Sequence, residues 1–288
     1  QKAAGKRIVA SDGKKHETVS KKVREKNREV QHKLTEHMIT ELPKLIRRYQ
    51  ADEEKLAALL AVVPCMQVEQ FVLSSQEKAY GALMKIIKDA FFKNSETAPL
   101  RGCASALLTA QEQECDQLDK LSANTVSQCC NALSKQIVKL IDLMSDRKAC
   151  EDQENALALL VTLKRTYELH VKCDVSLDDA LAKMTSMLQD VQNNDLDVDE
   201  DILVLLIENL HLSLVWKLRN ALESDAGDGD AELRDMHEAF MKKLEYFIQR
   251  PSQLRAASSA FRCMADIFVL FSAQSPALRR LDCVEPSS

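Results

Sequence analysis

Residues Leu34 to Leu60 read "LTEHMITELPKLIRRYQADEEKLAALL". The apolar positions Leu34, Met38, Leu42, Leu45, Ile46 and Tyr49 recur at three- and four-residue steps, which places them on one face of an α-helix. Pro43 sits inside that helix. Its ring lacks an N–H and presses on the carbonyl of Ile39, so the spacing predicts a kink or a restart near Leu42. The stretch holds no paired carboxylates, no glycine cradle and no nucleophile with a base beside it. It reads as an architectural element rather than a chemical one.

The rest of the chain repeats that character. Of 288 residues, 45% are hydrophobic and 29% charged, enough to bury a sizeable core. Glycine and proline number only 6 and 6, about 4% of the chain where about 12% is usual. Few turns are therefore on offer, and the long apolar periods between them are helical. Aromatic residues are scarce and strand-length alternation is nearly absent, so the fold class is all-α. The nine cysteines are odd in number and scattered, several on apolar helical faces (Cys103, Cys129, Cys263). That pattern predicts buried free thiols in a reducing compartment. The run "ILVLLIENLHLSLVWKL" (202–218) carries Glu208, Asn209 and His211 near its centre and is short for a bilayer. A helix buried between helices is expected, and no membrane partner. The first residue is Gln and no signal-like start follows, so the chain is expected to be an internal part of a longer protein.

Helices are expected at about 34–49, 52–62, 66–73, 75–93, 97–109, 114–145, 150–172, 176–192, 198–223, 230–249 and 252–273. One helix per ~22 residues is half of a ~40–47-residue HEAT-type pair. The organisation expected is a basic loop leading into a helix (1–33), a HEAT-like array of stacked antiparallel helix pairs (34–273) and an irregular tail (274–288). Charge divides along the same line. Residues 1–33 hold 11 basic and 4 acidic residues, a balance of +7; with a formal total of −5, the remaining 255 carry −12. The basic candidates for tracking a phosphate backbone are Lys6, Arg7, Lys14, Lys15, Lys21, Lys22, Arg24, Lys26 and Arg28. No aromatic residue interleaves with them, so base stacking is not implied. A solvated linker is the competing reading of the same residues.

Other motifs reduce to bland readings. Asp197, Asp199, Asp201 and Glu208 mimic a calcium loop, but Ile202 stands where the sharp turn needs glycine. Acidic residues complementing a helix N-terminus are expected instead. Cys129-Cys130 lacks zinc-site pairing, and "SDAGDGDAEL" (224–233) is acidic with no lysine, so neither metal nor phosphate cofactor is implied. No nucleophile pairs with a base by spacing, and no enzyme activity is expected.

Four segments carry a resemblance. "KLTEHMITELPKLIRRYQADEEKLAALL" (33–60), "LALLVTLKRTYELH" (157–170), "LHLSLVWKL" (210–218) and "AFRCMADIFVLFS" (260–272) resemble the stromal-antigen subunits of cohesin, in that family's order and at about its spacing. The resemblance is weak over 95–145, and "CDVSLDDAL" (173–181) lacks the tryptophan that usually follows the "LKR" helix. It implies a HEAT-repeat solenoid, non-catalytic, nuclear and chromosome-associated, that binds the kleisin subunit and contacts double-stranded DNA without base specificity. Contacts with other cohesin regulators are compatible with it. The kleisin is expected along the helices at about 150–273, with Lys164 and Arg165 as candidate contacts. A HEAT-type adaptor or transport scaffold that binds only protein is the alternative.

Overall fold

A computed structural model describes residues 12–145, 153–175, 177–194, 196–223, 230–250 and 253–272. Among them there are eleven α-helices and no strand: α1 Asp12–Arg48, α2 Glu53–Leu60, α3 Glu69–Leu73, α4 Glu77–Lys93, α5 Thr97–Glu112, α6 Asp116–Ser145, α7 Gln153–His170, α8 Asp178–Gln192, α9 Glu200–Glu223, α10 Asp230–Ile248 and α11 Leu254–Ser272. A single 3-10 turn, Val63–Cys65, follows α2. Ten helices lie within a few residues of their expected places. The first does not.

That helix begins at Asp12 instead of residue 34. Most of the stretch expected as a loop is therefore helical. Between Lys14 and Leu42 there is neither glycine nor proline, and lysine, arginine, glutamate and glutamine hold a helix well. Glu25 and Arg28 stand three apart, Glu29 and Lys33 four apart, the steps at which opposite charges meet on a helix surface. Nor does the chain restart at Pro43, which lies within α1. Ile39, Leu42 and Ile46 are buried on either side of it, and that packing outweighs the single backbone bond proline forfeits.

Scarce glycine leaves the turns to other residues. Ser75, Glu114 and Asn194 take positive φ (54°, 52° and 60°), each two residues beyond a helix end. After α3, the Gln76 N–H donates to the Phe71 carbonyl (2.6 Å) and the Ser75 N–H to that of Val72 (2.9 Å), the paired bonds of a Schellman stop. After α5, Cys115 and Glu114 do the same to Ala110 and Gln111. The next helix can then start at once. Asp52 caps α2, its side chain accepting from the Lys55 N–H at 3.1 Å.

The helices stack in two layers. In one, α4, α6, α8 and α10 pack in succession behind α1; in the other, α5, α7, α9 and α11 follow α2. Side-chain bonds fix the direction of travel. Asn209, Trp216 and Asn220 of α9 each bond to a group 46 residues earlier, on or just after α7. Lys243 and Tyr246 of α10 each reach back 54 residues, to Gln189 and Gln192 at the end of α8. A constant offset means parallel helices. The unit that stacks is thus a helix pair, and the fold is an all-α helical-repeat solenoid.

A continuous core runs through it from Ile39 to Ile267. The apolar run of α9 buries Ile202, Leu203, Leu206, Ile207, Leu210 and Leu214 among its neighbours. No described helix is long and apolar enough to cross a membrane. The described cysteines are all free, and Cys103, Cys115, Cys129, Cys130 and Cys263 are buried. Burial pushes the thiols of Cys129 and Cys263 up to about 12, which suppresses the thiolate. At the far end, α11 turns Ala256, Ala260, Cys263 and Ile267 inward and leaves Leu254, Phe261 and Phe268 in solvent.

Two helical glycines test the stacking. A Cβ at Gly102 on α5 would lie 2.9 Å from the Cβ of Leu60 on α2, whereas one at Gly81 on α4 meets nothing within 4 Å. Gly81→Ala should raise stability by about 0.5–1 kcal/mol through helix propensity. Gly102→Ala should lower it despite the same propensity gain. Urea midpoints compared with the parent settle both signs; a stabilised Gly102→Ala would show that α5 and α2 are not held at this separation.

Candidate functional site

Of the basic lead-in, Lys6 and Arg7 lie outside the described residues. Lys14, Lys15, Lys21 and Lys22 stand on the first half of α1, and Arg24, Lys26 and Arg28 are exposed on it. Every residue from Val23 to Gln31 is exposed. Gln67 touches that stretch from the array, donating to the Arg28 carbonyl at 3.4 Å, and α1 settles onto α2, α3 and α4 from Thr35 onward. Helical geometry packs these cations at about 1.5 Å of axis per residue, half the rise of an extended chain. From Val23 to Gln31 the lead-in is a charged rod.

Lys164 and Arg165, neighbours in sequence, part company in space. The Arg165 guanidinium donates from Nε (3.1 Å) and Nη2 (2.9 Å) to the carbonyl of Asn94, just beyond the end of α4. Asn94 in turn donates from Nδ2 to the Ala90 carbonyl at 2.8 Å. A cation at a helix C-terminus meets the negative end of the dipole, so Arg165 ties α7 to α4. Burial lowers its pKa. Lys164 is half-exposed on the outer side of α7, near Leu157 and Leu160, and none of these bonds involves it.

Polar seams that sequence spacing did not reveal tie this layer together. Glu168 of α7, 4% exposed at its side chain, pairs with Arg101 of α5 through Nε (3.2 Å) and Nη2 (3.4 Å). Glu208 of α9 binds Arg262 of α11 and accepts from Ser259 Oγ at 3.1 Å. Asp199 accepts from the Asp201 N–H (2.7 Å) at the entry to α9. Asp199, Asp201 and Glu208 of the calcium-like run are thus spent on a helix start and on the neighbouring α11. Among the described residues no group of three or more His, Cys, Asp or Glu is arranged to hold a metal. The glycines at 227 and 229 lie outside the described residues.

His170 is fully buried at the end of α7, and neither of its ring nitrogens has a hydrogen-bond partner. Trp216 Nε1 donates to its backbone carbonyl at 2.8 Å. Burial lowers its pKa to about 4, against the opposing pull of Asp174 and Asn209, so the imidazole is neutral at pH 7.

Three of the hollows among the described residues open along the layer of α1, α4, α6, α8 and α10. One, about 490 Å³, lies between α1 and α4 with Arg47, Lys85 and Lys93 around Asp89. A second, about 940 Å³, is an open groove between α6 and α8 with Lys135, Lys139 and Lys183 on its walls. The third, about 350 Å³, is a cleft between α8 and α10 whose floor is α9.

The sequence profile described as the HEAT-repeats domain of cohesin subunit SCC3/SA matches residues 1–216. The chain is 28% identical over 254 residues to sister-chromatid cohesion protein 3 of Arabidopsis thaliana, covering 86% of this chain and 22% of that protein. It is 24% identical to cohesin subunit SA-1 of Xenopus laevis (84% of this chain, 19% of the relative). It is also 24% identical to cohesin subunit SA-3 of Homo sapiens (84% and 20%). The chain therefore spans about a fifth of the length of these relatives.

The buried imidazole makes stability depend on pH. With a folded pKa of about 4 against about 6.5 unfolded, His170 contributes fully above pH 6.5. That contribution is lost as pH falls toward 4, on the order of 3 kcal/mol at the limit. Urea midpoints should fall between pH 7.5 and 5, and His170→Leu should shrink the fall. An undiminished fall in the variant would mean that other groups, His211 first, carry it.

Proposed function

Because the chain belongs to the SCC3/SA family of cohesin subunits, we propose that it is a non-catalytic scaffold segment of such a subunit. It serves sister-chromatid cohesion and chromosome organisation by binding the kleisin subunit of cohesin and touching double-stranded DNA. The profile match over residues 1–216 carries this reading. Relatives named for cohesin and for sister-chromatid cohesion support it, as does a solenoid that spends its polar groups on holding helices together. A nuclear, chromosome-associated location and contacts with further cohesin regulators belong to the same reading. No cofactor is needed for it.

The kleisin lies along the outer side of α7 and α9, where Leu157, Leu160, Leu212 and Val215 are incompletely covered and Lys164 offers a free cation. An acidic and apolar peptide suits that surface. Lys164→Glu should weaken kleisin binding and leave the melting temperature unchanged. Arg165 variants should lower the melting temperature instead, since the residue holds Asn94. Hydrogen exchange should slow within 150–273 when a kleisin central segment is added; protection confined to 1–95 would move the site.

The DNA contact falls to the exposed rod of α1. The −12 carried by the other 255 residues favours the second reading, an adaptor that binds only protein. Changing Lys14, Lys15, Lys21, Lys22, Arg24 and Lys26 together to Ala keeps helix propensity and removes the charge. Affinity for unrelated duplexes should fall by similar factors. The plot of log affinity against log salt should flatten by up to about 0.9 for each phosphate that is no longer neutralised. Unchanged affinity and slope would return the lead-in to a linker, and no DNA binding by the parent would favour the adaptor.

A further inference from the structure

The cleft between α8 and α10 lies on the opposite layer from Lys164. Its floor and walls are Leu181, Leu210, Leu214, Met236, Ala239 and Phe240. A hollow of about 350 Å³ with that lining takes one or two bulky apolar side chains. The open groove against α6 lies on the other side of α8, and Ala182, small and exposed, lines both hollows. An extended chain can cross α8 at that low point.

The charges around the two hollows are unequally used. Lys183 is paired with Asp142 across the groove. Asp178 and Asp179 stand in the first turn of α8, where the helix dipole stabilises them. Glu232 lies on the cleft rim. Four lysines form no salt bridge among the described residues, although the Asp190 carboxylate acts on Lys243. Lys243 Nζ donates only to Gln189 Oε1 (2.6 Å), and burial lowers its pKa. Lys217 Nζ has the sulfur of Met236 at 3.5 Å. Lys135 and Lys139 line the groove. Lys217 and Lys243 are half-buried, Lys135 and Lys139 exposed. Half-buried cations beside an apolar hollow are completed by carboxylates arriving together with an apolar side chain, and the exposed pair adds positive charge along the groove.

We propose that the α8–α10 cleft, with the groove beyond Ala182, is a docking site for a short linear peptide whose bulky apolar residues are flanked by acidic ones. The apolar residues fill the space over Leu210, Leu214 and Phe240, and the flanking carboxylates reach Lys243 on one wall and Lys139 across α8. A DNA duplex is the poorer fit. Its phosphates need an exposed ridge and gain nothing from an apolar floor. The site is separate from the proposed kleisin surface and does not depend on it.

The test uses the full chain and a fluorescein-labelled peptide of about 12 residues, with a leucine and a phenylalanine three apart among glutamates and aspartates. Anisotropy should give a Kd on the order of 10–100 μM. Replacing the two apolar residues by serine should weaken binding roughly tenfold or more. Ala182→Trp, at an exposed position, should block the crossing, and Lys243→Met should weaken binding several-fold. Unchanged melting temperatures would show that both variants fold, and Lys164→Glu should leave this peptide's affinity unchanged. The proposal is overturned if the serine peptide binds equally well or if Ala182→Trp has no effect. It is overturned equally if Ala182→Trp abolishes duplex binding, making the site one for nucleic acid, or dissociates a dimer seen by sedimentation, making the occupant a second copy.

Discussion

The register between α7 and α9 is the constraint from which the stack takes its shape. Asn209 is fully buried, and its side-chain amide donates both to Leu205 within its own helix (2.8 Å) and to Leu163 on α7 (3.2 Å). Two turns along, Trp216 donates to the last residue of α7, His170. A buried amide or indole N–H left without a partner costs on the order of 1–3 kcal/mol. Sliding α9 along α7 by one residue breaks both bonds at once, whereas the apolar contacts around them tolerate small displacements. Polar groups therefore set the register and apolar groups supply the adhesion.

Once that register is fixed, the neighbours follow. α9 also carries Glu200, whose carboxylate accepts from the N–H groups of Arg255 (2.6 Å) and Ala256 (3.1 Å), and Glu208, which holds Arg262. The start and the middle of α11 are thus placed by the helix that α7 placed. On the other layer Tyr246 hands α10 to the end of α8 through the Gln192 carbonyl at 2.9 Å. Each link joins a helix to one two elements away, the coupling a stacked array requires. The steps differ, 46 residues from α7 to α9 and 54 from α8 to α10. A spatial repeat with unequal steps leaves no fixed period in the sequence.

This explains what could be read without coordinates. Apolar spacing located α2 to α11 because each has one face in the core, and the dense apolar run of α9 marked a helix enclosed between its neighbours. The part of α1 before residue 34 was missed for the converse reason: from Val23 to Gln31 it is exposed all round, and such a helix has no apolar period to detect. Its glycine-free and proline-free composition was the available signal. Arg165 was read beside Lys164 as a candidate kleisin contact; its tie to the Asn94 carbonyl could not be read, because that group lies 71 residues away and a backbone oxygen leaves no mark in sequence. Glu168 and Glu208 stayed hidden for the same reason, since only packing reveals that each faces an arginine. The three hollows belong to pairs of helices distant in sequence, and no motif encodes them.

The helical state of the lead-in changes what its charge can do. A flexible cationic loop attached to a body carrying −12 would sample conformations folded back on that body, spending its charge internally. A helix cannot. From Arg28, where the backbone carbonyl accepts from Gln67 on the array, to Asp12 the axis runs roughly 25 Å at 1.5 Å per residue. Screening at physiological salt acts over about 8 Å. The exposed turns from Val23 to Gln31 hold Arg24, Lys26 and Arg28 along one axis instead of on a chain free to fold back, so these cations keep a surface of their own on a chain with net negative charge.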